Sequence, residues 1–254
     1  MKKFQIALMC AALVAFVACK PTPDPEGLCE VCGENPCVCE GNEPEGYVCP
    51  ISVTDASDAD WANVPEGYLF ETKHEEGANK DALKSVKVFA DEIYLNFLAE
   101  WDTDQVTLLD TVPFHVYLNV DGAAETGGYG DQWLEPFDID LLMEGCFFLG
   151  NEPCAYEPGI FAYGGAYNTN EWNWTELVPA SSDWIKSQHL GDNKMEIQML
   201  RELIPAAWGE TFTVGFDIQQ SWNSVGVLPN APADSIGGDV KAYKMSVNFY
   251  VPEE

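Results

Sequence analysis

Apolar and polar residues alternate with a period of two in several segments of the chain. The clearest segment places Ile93, Leu95, Phe97, Ala99 and Trp101 on one face. The same period recurs in residues 114–120, 212–218 and 243–251. Because successive side chains of a β-strand point to opposite faces, each segment predicts a strand with one buried face.

The segments between these strands indicate how the strands are connected. Gly191-Asp192-Asn193 separates residues 184–190 from residues 195–200 and predicts a hairpin turn. One short helix is predicted around residues 202–208, and Pro205 limits its length. Short strands separated by Gly, Asn and Asp are typical of β-sandwiches. We therefore predict one all-β domain over residues 50–254, an antiparallel, jelly-roll-like β-sandwich with one short helix.

The first nineteen residues have the composition of an export signal. Lys2 and Lys3 precede an apolar run over residues 4–18 that only Gln5 interrupts, and Cys19 follows. The run is shorter than the roughly 20 residues that a membrane-spanning helix requires. Phe16-Val17-Ala18-Cys19 resembles a lipobox, so residues 1–18 are predicted to be a lipoprotein signal peptide and Cys19 the lipidated N-terminus. A signal cut elsewhere and an uncleaved anchor are the alternatives.

This interpretation places the chain outside the cytoplasm, at the outer membrane or the cell surface. Its only predicted membrane attachment is the lipid on Cys19. Residues 19–49 read as a linker that is rich in proline and acidic residues and cannot bury a core.

The linker also contains four closely spaced cysteines, Cys29-x2-Cys32-x4-Cys37-x-Cys39. They could form two disulfides or one tetrahedral thiolate metal site. Disulfides are favoured because an exported segment meets oxidising conditions. Cys146 and Cys154 are predicted to form a further pair, which leaves Cys49 unmatched.

Charge narrows the range of partners. The chain has 12 Lys and Arg against 42 Asp and Glu, a formal net charge of −30. Such a field repels nucleic acid, so no nucleic-acid partner is expected. Oxygen-ligated calcium sites are easy to build in so acidic a chain.

Several motifs follow one another in an order found in a known family. They are Asp55-x2-Asp58-x-Asp60-Trp61, Val86-Lys87-Val88, Ala90-Asp91-Glu92-Ile93-Tyr94-Leu95-Asn96-Phe97, Val116-Tyr117-Leu118-Asn119-Val120-Asp121-Gly122 with Thr126-Gly127, Met195-Glu196-Ile197, Gly215-Phe216-Asp217-Ile218-Gln219 and Val225-Gly226-Val227. In this order they resemble the family 9-type carbohydrate-binding modules and DOMON-like domains, over residues 51–251.

The resemblance implies an antiparallel β-sandwich that belongs to an extracellular enzyme or surface protein. It also implies a sugar held between two tryptophans, with structural calcium nearby. Residues 108–111 and 233–238 match the positions of those tryptophans and contain no aromatic residue. Related domains with the same strands serve other purposes, including haem binding, so the resemblance implies the fold more strongly than the sugar site.

Aromatic and amide side chains supply the candidate ligand contacts. A sugar stacks its apolar face on a ring, and neighbouring amides bind its hydroxyl groups. One candidate group follows Gly164-Gly165 and the other lies at the end of a predicted strand; together they are Tyr163, Tyr167, Asn170, Trp172, Trp174, Gln219, Trp222 and Asn223. The alternative for Trp172 and Trp174 is a structural pair buried between the sheets. Trp61, Trp101 and Trp208 are predicted to lie in the core.

A calcium site is predicted around the Gly-rich segment after residue 118. Its candidate oxygen ligands are Asn119, Asp121, Glu125 and Asp131, with Asp138 or Asp140. The alternative is a solvated acidic loop. No organic cofactor is expected.

Sequence evidence for catalysis is thin. The three histidines, His74, His115 and His189, form no metal-binding helix motif, and neither a Gly-x-Ser-x-Gly elbow nor a phosphate loop is present. His115 is expected to face outward from its strand. We therefore predict a surface lipoprotein that binds a glycan without catalysis. The alternatives are a structural or protein-interaction subunit of a surface assembly and, more weakly, a glycoside-active enzyme that uses paired carboxylates.

Overall fold

The computed structural model describes residues 48–77, 80–107, 113–122, 126–128, 138–145, 158–167, 169, 172–178, 184–230 and 245–252. The chain divides into one unit over Met1–Pro44, which lies outside the described residues, and a second over Glu45–Glu254. The described residues form twelve strands: β1 (Phe70–Lys73), β2 (Leu83–Ala90), β3 (Tyr94–Trp101), β4 (Phe114–Asn119), β5 (Leu141–Gly145), β6 (Gly159–Tyr163), β7 (Trp174–Val178), β8 (Ile185–His189), β9 (Lys194–Leu200), β10 (Thr211–Gln220), β11 (Asn223–Leu228) and β12 (Met245–Asn248).

The strands form two antiparallel sheets, as the sequence predicts. The first sheet has the spatial order β1-β2-β3-β9-β8. The second has the order β11-β10-β4-β5-β6-β7, and β12 pairs with the first half of β10 on the edge that β11 also uses. The all-β sandwich is therefore confirmed, and the hairpin turn at Gly191 connects β8 to β9 as expected.

The alternating apolar residues meet between the two sheets. Phe97 on β3 and Phe216 on β10 lie 5.8 Å apart in an edge-to-face arrangement, and Phe216 stacks on Phe114 of β4 at 6.0 Å. Trp101 is buried in the same core, as predicted. Trp61 is buried as well, but it lies in a separate cluster on the outer face of the first sheet. Trp208 is partly buried against the core.

The predicted helix over residues 202–208 is wrong in length and kind. Only a three-residue 3-10 helix, Arg201–Leu203, is present there. Ile204, the residue before Pro205, has φ −95° and ψ 106°, an extended conformation. A residue before proline is pushed out of the helical region, and proline itself supplies no N–H, so the turn ends at once. A second 3-10 helix, Ala59–Asn63, contains Trp61 of the Asp-rich motif.

The outer face of the first sheet is covered by residues 48–64, which we call the N-terminal arm. Ile51 and Trp61 of the arm pack against Phe89 on β2 and Leu98 on β3 in a buried cluster. The side chain of Gln198 on β9 also donates to the carbonyl oxygen of Ile51 at 3.3 Å. The five-stranded sheet is therefore buried on both faces where the arm crosses it.

The two sheets meet at one corner through backbone hydrogen bonds. Ala82 N donates to Val225 O at 3.1 Å, and Val227 N donates to Lys80 O at 3.2 Å. Gly226 lies between these contacts, and a Cβ placed there would stand 2.2 Å from Leu83 N. Glycine is therefore required for the close approach of the sheets at this corner.

We expect Gly226→Ala to lower the free energy of unfolding by about 2–3 kcal/mol, because the backbone of Leu83 cannot move away without breaking the corner. Chemical denaturation of the purified chain measures the loss. Gly191→Ala is the matched control: its φ is +74° but nothing lies within 4 Å of its Cβ, so only about 1–2 kcal/mol of backbone strain is expected. Equal effects of the two substitutions would contradict the close approach.

Candidate functional site

The hairpin of β6 and β7 brings three aromatic rings together. Tyr163, the last residue of β6, pairs in register with Trp174, the first residue of β7. Their rings lie 5.2 Å apart, edge to face, and the Trp172 ring lies 6.1 Å from that of Trp174. We call Tyr163, Trp172 and Trp174 the hairpin aromatic cluster. Trp174 also packs on the outer face of the seven-stranded sheet, against the group that contains Tyr117 and Leu142.

Tyr163 is held in place on several sides. A Cβ on Gly128 would lie 2.7 Å from its ring, and a Cβ on Gly165 would lie 2.3 Å from its hydroxyl oxygen. The Tyr163 hydroxyl lies 2.6 Å from Thr169 Oγ1 and donates to Ala166 O at 3.0 Å. The two glycines therefore leave room for a ring whose orientation is fixed by hydrogen bonds as well as packing.

The outermost ring of the cluster is open to solvent. The Trp172 side chain is 69% exposed, and Tyr167 in the same hairpin is 43% exposed. The expectation that Trp172 and Trp174 could be a pair buried between the sheets does not hold, because neither belongs to the buried core. Next to them Asn173 is exposed, and its carbonyl oxygen accepts from Gly164 N at 2.8 Å. The hairpin thus presents a supported aromatic surface, with the exposed Asn173 between its two tryptophans in the sequence.

A second exposed ring lies at the turn between β10 and β11. Ser221 and Trp222 occupy the two central positions of this turn with φ of 50° and 65°. Two-residue turns of this kind favour Asn-Gly, and a bulky residue with positive φ is strained. Trp222 is nevertheless 53% exposed, and Asn223 is exposed beside it. Gln219, by contrast, is buried in the sheet rather than available at its end.

The two groups of candidate residues do not form one site. Four strand-to-strand steps separate β10 from β7 in the sheet order. The turn at Trp222 also follows the end of β10 that pairs with Phe114, whereas Tyr163 and Trp174 lie at the Asn119 end of β4. With about 4.8 Å between strands, and about 3.3 Å for each of the roughly seven residues from Thr213, the partner of Asn119, to the end of β10, the two groups lie roughly 30–35 Å apart.

The sheet between them carries a row of buried polar residues that the sequence prediction missed. Asp217 on β10, His115 on β4 and Glu144 on β5 are directly paired across three neighbouring strands. All three point to the outer face, opposite the core residues of their strands, and their side chains are 0%, 3% and 6% exposed. His115 does face outward as expected, but it is not exposed.

The polar row is linked by close electrostatic contacts. Glu144 Oε2 lies 2.8 Å from His115 Nε2 without the alignment of a hydrogen bond, and Asp217 Oδ2 lies 3.8 Å from His115 Nδ1. Asp217 accepts from Ser224 Oγ at 2.6 Å and from Gln219 Nε2 at 3.0 Å. The row holds an imidazole between two carboxylates in the interior, so it joins β11, β10, β4 and β5 on their outer side. One signal was available in the sequence: each of the three occupies a non-core position of its strand.

The described calcium candidates use their oxygens to close the turn after β4. Asn119 Oδ1 accepts from Gly122 N at 3.1 Å, and Asp140 Oδ2 accepts from Val120 N at 2.8 Å. Burial raises the pKa of Asp140. Among the residues that the structure describes, no three His, Cys, Asp or Glu side chains are grouped to hold a metal ion. Asn119 and Asp140 therefore bind backbone N–H groups. Calcium stays a prediction, and two of its candidate ligands, Glu125 and Asp131, lie outside the described residues.

Other predicted sites also lie outside the described residues. These are the lipidation site Cys19, the cysteines Cys29, Cys32, Cys37 and Cys39, the pair Cys146 and Cys154, and Asn170. Cys49 is described and carries a free thiol. Burial, with a smaller contribution from the neighbouring Asp91 carboxylate, raises the pKa of that thiol to about 12, so it stays protonated at neutral pH. In the described part of the chain, no helix is long and apolar enough to span a membrane.

We expect Tyr163→Phe to lower the free energy of unfolding by about 1 kcal/mol, because the hydroxyl loses its hydrogen bonds while the ring keeps its place between Gly128 and Gly165. Thermal unfolding measures the difference, and the indole resonances of Trp174 in the nuclear magnetic resonance spectrum of the folded state should stay close to their wild-type positions. A large change in that spectrum would show that the hydroxyl, and not the glycine contacts, positions the ring.

Comparisons with known proteins assign no family to this surface. No protein-family model matches the chain, and no curated protein is significantly similar to it. The likeness to carbohydrate-binding modules therefore rests on the motifs quoted above. Of what that likeness implies, the structure shows the antiparallel β-sandwich.

Proposed function

We propose that this chain is a lipid-anchored cell-surface protein that binds a glycan, without catalysis, through the hairpin aromatic cluster. The observation that carries the proposal is the exposed Trp172 ring beside two rings that are already packed in place. An exposed large apolar side chain in a group of aromatic residues marks a binding surface more strongly than one that stands alone.

Sugar chemistry suits this surface better than other ligand classes do. The C–H face of a pyranose stacks on an indole ring, and Asn173 offers amide groups to the hydroxyls at its edge. Because Tyr163 and Trp174 hold each other in place, little side-chain entropy is lost when a ligand binds. A formal net charge of −30 disfavours acidic polysaccharides, so the expected ligand is neutral.

Trp222 supports a polymer rather than a short oligosaccharide as the ligand. Its turn is strained, and strain of this kind is found preferentially at functional sites. The distance of roughly 30–35 Å from the hairpin cluster is too long for a short oligosaccharide that occupies one of the two surfaces. A polysaccharide could contact both, which would raise its apparent affinity.

We expect Trp172→Ala to weaken the binding of a neutral polysaccharide by about 10- to 30-fold, equivalent to about 1.4–2 kcal/mol, because the stacking surface is lost. Isothermal titration of the full-length chain in detergent, over a panel of neutral plant and microbial polysaccharides, measures the affinity. Trp172→Phe is the matched variant and should keep most of it, since a ring remains.

Two control variants distinguish an error in the assigned binding site from an error in the proposed function. Leu203→Ala removes another exposed apolar side chain, 43% exposed, and should leave the affinity unchanged. Trp222→Ala should weaken the binding of the polysaccharide but should not change the binding of a short oligosaccharide at the hairpin. If the wild-type chain binds no glycan of the panel at millimolar concentration, the proposal fails and a protein-interaction subunit becomes the better account.

The lipid anchor is tested separately. We expect Cys19→Ser to abolish incorporation of radiolabelled palmitate, because the acylated thiol is gone. Cys49→Ser is the matched control and should leave the protein membrane-bound and labelled. Palmitate labelling of Cys19→Ser equal to that of the wild type would contradict a lipid anchor on Cys19.

A further inference from the structure

The N-terminal arm is docked on the first sheet around one buried carboxylate. Glu196, on the outer face of β9, is 0% exposed. Trp61 Nε1 in the arm donates to its Oε1 at 2.5 Å, and Gln188 Nε2 on β8 donates to its Oε2 at 2.5 Å. Gln188 in turn accepts the backbone N–H of Ala56, also in the arm, at 2.9 Å. Two hydrogen bonds of the arm therefore depend on Glu196, one directly and one through Gln188.

Charged groups surround the carboxylate on each packed element. The arm contributes Asp55, Asp58 and Asp60. The sheet contributes Lys194 on β9, Glu100 on β3, Lys87 on β2 and Lys186, which lies on the same face of β8 as Gln188. Lys194 Nζ lies 3.1 Å from Asp58 Oδ2 and 3.9 Å from Glu100 Oε2, so its charge is shared by two other acids. Glu196 is thus buried with two neutral donors, and no basic side chain of the described residues donates a hydrogen bond to it.

Opposing effects act on the proton affinity of this group. Burial favours the neutral form, and the nearby Asp60 and Asp55 carboxylates add to that effect, whereas the donors on Gln188 and Trp61 favour the charged form. Burial is the largest of these effects and raises the pKa of Glu196 from 4.5 to about 7. Glu196 therefore changes charge near neutral pH instead of in strong acid.

We propose that the protonation state of Glu196 sets how tightly the N-terminal arm is docked on the five-stranded sheet. The arm connects the sandwich to residues 1–47, so the protonation of Glu196 would act on the segment between the sandwich and the proposed lipid anchor. The proposal is independent of glycan binding, since the arm covers the sheet that does not carry the aromatic surfaces.

The direction in which pH changes the docking of the arm follows from the linkage between proton binding and docking. When the arm leaves, Glu196 becomes solvated and its pKa returns toward the ordinary value of 4.5, so the undocked state loses its proton more easily. Docking is therefore tightest below pH 4.5 and weakens as the pH rises toward about 7, after which it stays weak. For a shift from 4.5 to about 7, the ratio of docked to undocked arm falls by about thirtyfold between pH 5.5 and pH 8.5.

Nuclear magnetic resonance of the full-length chain in detergent tests this. Carbon-13 shifts of the Glu196 carboxyl give its pKa directly, expected at about 7. Hydrogen exchange of the Ala56 amide and the Trp61 indole, corrected for intrinsic rates, should show a loss of protection of about thirtyfold between pH 5.5 and pH 8.5.

Glu196→Gln removes the titration and keeps the size of the side chain, so protection at Ala56 should no longer depend on pH. Asp104→Asn, an exposed acid in the turn after β3, is the matched control and should behave as the wild type. The proposal is overturned if the wild-type Glu196 carboxyl titrates near 4.5, or if Glu196→Gln keeps the wild-type pH dependence. Should that variant not fold, the wild-type carboxyl titration decides alone.

Discussion

The described sandwich depends on the burial of its central strands on both faces. The inner faces of β3, β9, β4 and β10 meet in one aromatic and aliphatic core. Their outer faces are buried too, under the N-terminal arm on the first sheet and around the row of Asp217, His115 and Glu144 on the second. A sheet packed on both sides is a rigid base, and Trp174 at its edge hairpin packs on that base.

This burial explains where sequence reasoning succeeded and where it failed. Alternation identified β3, β4, β10 and the β8–β9 hairpin, because the period of a strand is a local property. It could not show what lies over the polar face of β4, since that depends on contacts between distant segments. His115 was correctly placed on the outer face for this reason, yet its burial between two carboxylates was not foreseen.

The candidate site shows the same limit. Composition selected Trp172 and Trp222 as exposed rings, and both are exposed. Their separation follows from strand order, which the sequence does not contain: β10 and β11 lie at one side of the second sheet and β7 at the other. The prediction of a longer helix after β9 was wrong because Pro205 favours an extended conformation of the preceding residue, Ile204, and this conformation ends the helix.

Carboxylates have different roles at the surface of this acidic chain and in its interior. Carboxylates at the surface keep polyanions away, while Glu196, Glu144 and Asp217 are buried with donors or an imidazole as neighbours. Aromatic rings are then the natural contacts for a neutral ligand. The account predicts recognition by exposed rings that are already in place, and not by a reactive side chain.

The most direct measurement of that claim is the set of indole N–H resonances of the eight tryptophans during titration with a neutral polysaccharide. The account predicts that the signal of Trp172 moves first, that Trp174 and Trp222 follow, and that the buried Trp61 and Trp101 stay in place. Saturable binding that shifts Trp61 or Trp101 while Trp172 is unaffected would contradict it.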